Sequence, residues 1–147
     1  MKFTCSVIVN QPIDKVAKLF ADPANLKEYQ EGFVSKILVS GVEGQAGAVS
    51  KMYYQTGKRS MEIEETILSN DLPASFTGSY HHKHMDNFMK SSFTALSEDQ
   101  TRYEAEIEYT AFRGFVPKAM GFLFPGIFKK QVQKWLDNFK VFAENGE

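Results

Sequence analysis

Every histidine of this 147-residue chain falls in one short stretch, GSYHHKHMDNFMKSS, residues 78–92. On an extended strand alternate residues share a face. His82 and His84 are then expected on one face with Phe76, Gly78 and Tyr80, and His81 and Lys83 on the other. Two imidazoles on one face can share a transition metal, but such a site needs a third and usually a fourth ligand. The lone Cys5 is remote, and Asp86 and Asn87 at the adjoining turn are weak donors, so no metal site is implied. A histidine acting as general acid or base needs an orienting carboxylate and a bound substrate. His82 and His84 are the catalytic candidates, and Glu65 is the one acid expected on the same inner surface. The plainer alternative is a set of polar residues near a cavity mouth, because the strand pattern stops near Met85 and Asp86.

Other chemistry-bearing patterns are missing. GVEGQAG lies between strand patterns rather than between a strand and a helix, so it is no phosphate loop. No serine sits in a nucleophile-elbow pattern. No cofactor is implied. Glu62, Glu64, Glu104, Glu106 and Glu108 alternate with apolar residues and read as solvated faces. Cys5, inside KFTCSVIV, reads as a small hydrophobe.

The elements that must position these residues are legible from periodicity. Residues 2–9 place Phe3, Cys5, Val7 and Val9 on one face of a strand. In NQPIDKVAKLFAD, Asn10 is expected to cap a helix with Pro12 in its first turn. DPANLKEY restarts a second helix, with Asp22 as cap and Pro23 at the first position. From Phe33 to Phe112 the chain reads as strands and turns, with a tight turn at Gly57 and Lys58 and a break at NDLPA. Beyond it, Met120, Phe124, Phe128, Val132, Trp135, Phe139 and Phe142 recur at helical spacing. This predicts one long helix, kinked or broken near Pro125. Short connections favour antiparallel pairing. The fold class is therefore α+β, residues 1–147 forming one domain. A curved seven-stranded antiparallel sheet, two short helices and one long C-terminal helix make it up, with space between sheet and helix.

Charge and composition exclude some partners. The 17 basic and 18 acidic residues are interspersed, which argues against a nucleic-acid partner. No apolar run is long enough to span a membrane. The chain opens directly on a strand pattern without a leader, so a cytoplasmic protein is expected. GFVPKAMGFLFPGIF, followed by Lys129 and Lys130, is apolar enough for weak contact with a membrane surface. A monomer and a homodimer are equally compatible with the sequence. The 13 Phe and 6 Tyr call for a bulky core or an aromatic-walled cavity.

This order of elements resembles the helix-grip fold of the SRPBCC superfamily, which includes START lipid-transfer, birch-pollen-allergen-like and polyketide cyclase-like domains. VIVNQPIDKVAKLFADPANLKEYQEGF is similar to the opening of such domains, SGVEGQAGAVSKMYY to their glycine-rich hairpin, and MGFLFPGIFKKQVQKWLDNFKVFAE to the closing helix of bacterial members. The resemblance covers nearly the whole chain. It implies an architecture and a cavity, and it carries no shared catalytic motif.

The expected function is binding of a hydrophobic or amphipathic small molecule, lipid- or polyketide-like, between sheet and long helix. The expected lining is Met52, Tyr54, Met61, Ile63, Tyr80, His82, Met89, Ser91, Phe93, Ile107, Tyr109, Met120, Phe124 and Phe128. Tyr54, Tyr80, His82, Ser91 and Tyr109 would supply the orienting hydrogen bonds. The alternatives are a cyclase- or dehydratase-like enzyme using His82 or His84 with a tyrosine, and a regulatory interaction module without catalysis.

Overall fold

A computed structural model describes residues 1–145. The chain runs β1 (Lys2–Val9), α1 (Ile13–Ala21), a 3-10 turn (Pro23–Asn25), α2 (Leu26–Tyr29), β2 (Phe33–Ser40), β3 (Val49–Thr56), β4 (Arg59–Asp71), β5 (Ser75–His81), β6 (Met85–Ser97), β7 (Gln100–Phe112), α3 (Phe115–Leu123) and α4 (Pro125–Asn145). The strands form one seven-stranded sheet in the order β1-β7-β6-β5-β4-β3-β2, antiparallel throughout. Only β1 crosses from one edge to the other, and the helices between β1 and β2 make that crossing.

Alternation in sequence becomes sidedness in the sheet. On β7, Tyr103, Ala105 and Ile107 are buried, whereas Glu106 and Glu108 face solvent. β1 pairs along it, setting Phe3 opposite Ile107 and Cys5 opposite Ala105. Register shifts in the β2–β3, β4–β5 and β6–β7 ladders bend the sheet, since an extra residue in one strand sharpens its local twist. α4 fills the concave side with Val132, Leu136, Phe139 and Ala143. Phe139 is fully buried among Phe20, Tyr29 and Tyr103. Burying such a ring contributes roughly 2–3 kcal/mol.

The two sheet edges are finished differently. α4 lies along β1, where Gln133 Nε2 donates to the Ser6 carbonyl at 3.0 Å and Lys140 Nζ to the Ile8 carbonyl at 2.7 Å. β2 forms the other edge and leaves Val34, Ile37 and Val39 exposed.

One local expectation changes. Asn10 does not cap α1, because its Oδ1 accepts from Gln100 Nε2 at 2.9 Å. Pro12 occupies that cap position without a side-chain bond. Asp22 does cap, accepting from the Ala24 N–H at 2.9 Å, although the turn that follows is 3-10. The C-terminal helical stretch breaks near Pro125, as its sequence implies, into two helices. Phe124, forced out of helical geometry (φ −133°, ψ 53°), separates α3 from α4. The ring of Pro125 disfavours the helical conformation for the residue before it. Among the described residues no helix is long and apolar enough to cross a membrane.

Candidate functional site

Between the sheet, α4 and the short helices lies a cavity of about 120 Å³. Its apolar wall includes Phe20, Leu26, Met52, Ile67, Leu72, Phe76, Met89, Val132 and Leu136. Exposed Ala21, Glu43 and Asn70 also line it, which puts its opening between the 3-10 turn and the β2–β3 loop. Into this wall project three groups that are rarely buried together: Lys36, Glu65 and Tyr80.

Each is aimed by the strand that carries it. Glu65 follows β4 alternation, sharing the inner face with Ile67, and is 5% exposed. Tyr80 is its cross-strand partner on β5, and cross-strand partners share a face. The Tyr80 hydroxyl donates to Glu65 Oε2 at 2.9 Å. Gly78 leaves space for that ring: a Cβ there would stand 2.6 Å from the Tyr80 hydroxyl. Lys36 is delivered by a bulge. Phe33 pairs with Tyr54 and Ser35 with Tyr53, so Val34 is the extra residue. The bulge shifts the phase by one, which brings Lys36 opposite buried Met52 and turns Ile37 outward.

Lys36 Nζ lies 3.0 Å from Glu65 Oε1 and 3.1 Å from Glu43 Oε1. It therefore links the buried carboxylate to one at the rim. Lys36 is the ion-pair partner of Oε1, and that oxygen has no other donor among the described residues. The Trp135 indole N–H, on a side chain that also lines the cavity, has no acceptor among them. Nearby, the buried Tyr54 hydroxyl donates to Gln30 Oε1 at 2.6 Å, and its ring stacks on Trp135 at 6.2 Å.

The protonation states follow from burial and charge. Burial disfavours the Lys36 ammonium, but the Glu65 and Glu43 carboxylates outweigh it and hold its pKa above the ordinary value. Burial, then the charge of Glu65, pushes the Tyr80 hydroxyl well above its usual value. Tyr54 rises for the same two reasons. Burial raises Tyr103 to about 12. At neutral pH the cavity thus holds a lysine cation and phenols that keep their protons. These groups donate hydrogen bonds and do not act as bases.

No protein-family model matches the chain, and no curated protein matches it in sequence. Solved structures do match in shape. Ara h 8.0201 is 13% identical, with a TM-score of 0.75 over 97% of each chain. The Zhui aromatase/cyclase from Streptomyces sp. R1128 is 12% identical, with a TM-score of 0.76 over 98% of this chain and 93% of that one. Norcoclaurine synthase from Thalictrum flavum, in complex with dopamine and hydroxybenzaldehyde, is 13% identical, with a TM-score of 0.73 over all of this chain and 88% of that one. The chain has the helix-grip fold.

Within this helix-grip frame, the residues expected to line the cavity divide into groups. Met52, Tyr80, Met89 and Ser91 line it. Tyr54 stands one ring away, behind Trp135. Phe93 and Ile107 are buried in the main core. Tyr109 and Phe128 pack together at 4.9 Å beside Phe112, a separate aromatic group. Met61 and Phe124 are exposed, Ile63 and Met120 half-buried, and none of these four lines the cavity. Reading the sequence missed Lys36, because the Val34 bulge leaves no compositional mark. It also missed Gln30 and Trp135, which helical spacing alone assigns to packing.

The histidines are arranged otherwise than strand alternation implies. β5 ends at His81, and Lys83 and His84 form the hairpin turn, closed by bonds between His82 and Met85. Alternation therefore stops before it reaches His82 and His84. Half-exposed His82 accepts from the His84 N–H through Nδ1 at 3.1 Å and does not line the cavity. Burial, then the neighbouring His84 and Lys83, lowers its pKa, so its ring is mostly neutral at pH 7. His81 Nδ1 lies 2.6 Å from Asp86 Oδ1. Arg113 grips Asp86 with two bonds of 2.9 Å and also reaches the carbonyls of His82 and Lys83. These bonds staple the hairpin to the β7–α3 junction. No group of three or more His, Cys, Asp or Glu converges as a metal site among the described residues.

Proposed function

We propose that the protein binds a small amphipathic molecule in this cavity, its apolar part against Phe20, Leu26 and Phe76 and its polar end at Lys36, Glu65 and Tyr80. The observation that carries the reading is the Trp135 indole N–H, which has no acceptor among the described residues, beside the buried Lys36–Glu65 ion pair in the cavity wall. Buried polar atoms ordinarily find partners, and a ligand bearing an oxygen acceptor for the indole and a hydroxyl for the Glu65 carboxylate matches this wall. A volume of about 120 Å³ is near that of an engineered cavity that takes up benzene. One ring or a short acyl segment fits inside. The remainder of a longer lipid- or polyketide-like molecule would extend through the opening beside Glu43.

Trp135 is the only tryptophan of the chain and stands in the cavity wall, so it reports occupancy directly. Native mass spectrometry of freshly purified protein should show a retained small molecule, and its removal should shift Trp135 emission. Glu65→Gln should weaken retention about tenfold or more, since hydrogen bonds to charged groups contribute about 1.5–3 kcal/mol. A protein that retains nothing, and whose emission ignores a panel of phenols and hydroxy acids, would overturn the proposal.

A cyclase- or dehydratase-like activity is the second reading. It rests on Glu65, a buried carboxylate facing the cavity with Lys36 and Tyr80 as donors beside it, and not on His82 or His84. Its signature is a Glu65→Gln variant that still binds ligand but no longer turns it over.

A further inference from the structure

α3 presents its apolar side outward. Residues three, four and seven apart share a helix face, which groups Phe115, Ala119 and Phe122 with Val116 and Leu123. Phe115 is 87% exposed and Phe122 85%, and no residue of α3 is fully buried. The opposite side bears Pro117 and Gly121. Gly121 rests against the Phe112 ring, where a Cβ would stand 3.0 Å from the ring carbons. Gly121 makes the close contact with the sheet, and Phe115 and Phe122 face outward. The apolar surface continues past the break into Phe124 and Ile127, both exposed.

The charges carried by this stretch of chain have one sign. From Tyr109 through Leu136 the chain carries Arg113, Lys118, Lys129, Lys130 and Lys134 and no acidic residue. Arg113 is bound to Asp86 and Lys134 to Glu31. Lys118, Lys129 and Lys130 are exposed and have no ion-pair partner among the described residues. Two copies of the chain meeting through this patch about a two-fold axis would bring these lysines toward their own duplicates. The same lysines complement an anionic surface. An exposed apolar helix flanked by lysines is the pattern of a segment lying in a membrane interface.

We infer that α3 and the start of α4 dock this protein on anionic lipid surfaces, with Phe115, Phe122 and Leu123 inserted and Lys118, Lys129 and Lys130 at the headgroups. This docking is separate from the cavity and does not depend on a ligand being bound.

Sedimentation with lipid vesicles tests it. The protein should pellet with vesicles containing phosphatidylglycerol at low salt and remain in solution with phosphatidylcholine alone. Raising the salt should release it, as surface attraction is screened. Each Lys→Gln substitution at Lys118, Lys129 or Lys130 should lower partitioning by about fivefold. The double variant Phe115→Ser/Phe122→Ser should abolish it while leaving the far-ultraviolet circular dichroism and Trp135 emission unchanged. The inference is overturned if wild-type protein ignores phosphatidylglycerol vesicles, or if neither set of substitutions alters its pelleting. It is overturned in favour of a self-association surface if sedimentation equilibrium gives a dimer that the double serine variant dissolves and vesicles bind neither protein.

Discussion

The two ends of the molecule handle aromatic residues in opposite ways. Beneath α4, Phe20, Tyr29, Phe93, Tyr103 and Phe139 interlock at centroid distances of 4.8–6.5 Å and enclose a cavity with an ion pair in its wall. At the α3 end, Phe115, Phe122 and Phe124 face outward, and the polar groups are bound in the Arg113–Asp86 staple. Composition is similar at both ends. The difference lies in which side of a helix meets the sheet.

The largest contrast should come from truncating one aromatic at each end. Phe139→Ala should cost about 3–5 kcal/mol in urea denaturation, the usual loss for a fully buried ring. Phe122→Ala should stay within about 0.5 kcal/mol, as expected for an exposed side chain. Equal losses would mean that α3 is as much a part of the core as α4. Next comes the ion pair. Glu65→Ala leaves Lys36 buried without its inner partner and should cost about 3 kcal/mol, whereas Lys36→Met combined with Glu65→Leu should recover most of the loss. Failure of the double variant to recover would show that the pair is needed for folding and not only for binding.

The α3 end should show a smaller effect that depends on pH. Hydrogen bonds from Arg113 lead the causes that hold Asp86 at about 2, below its usual 3.8. A depressed carboxyl stabilises the fold above its unfolded value and loses that contribution as pH falls through the folded one. This side chain is 34% exposed, so solvent screening limits the contribution to about 1 kcal/mol or less. The stability difference between wild type and Asp86→Asn should therefore close between about pH 4 and pH 2, as followed by thermal melts. The smallest effect belongs to the histidines. His82→Ala and His84→Ala should alter ligand retention by less than about twofold, the range of surface substitutions. A larger loss would shift the binding site toward the hairpin and erase the contrast between the two ends.

How much of this was legible depends on whether each strand keeps its phase. Glu65 stands out in RSMEIEETILS as the acid in step with Ile63 and Ile67, and the structure places it on the inner face. Tyr80, Met89 and Ser91 were found by the same alternation. Lys36 was hidden, because one extra residue at Val34 inverts the side chains that follow it, up to the second shift between Leu38 and Ser40. His82 was misplaced for the converse reason. The strand stopped at His81, and nothing in YHHKH distinguishes the last extended residue from the first of the turn.

Local sequence was enough to set the order of elements, the antiparallel pairing, the wet faces of β4 and β7 and the break at Pro125. These follow from local sterics and from a two-residue or near-four-residue period, and each needs only a few neighbouring residues to be read. Tertiary packing chose which polar groups met in the cavity, how large that cavity was, and that α3 turned its phenylalanines outward. Those outcomes rest on a bulge at Val34, on the close approach of Gly121 to the Phe112 ring, and on side chains far apart in the chain competing for one interior.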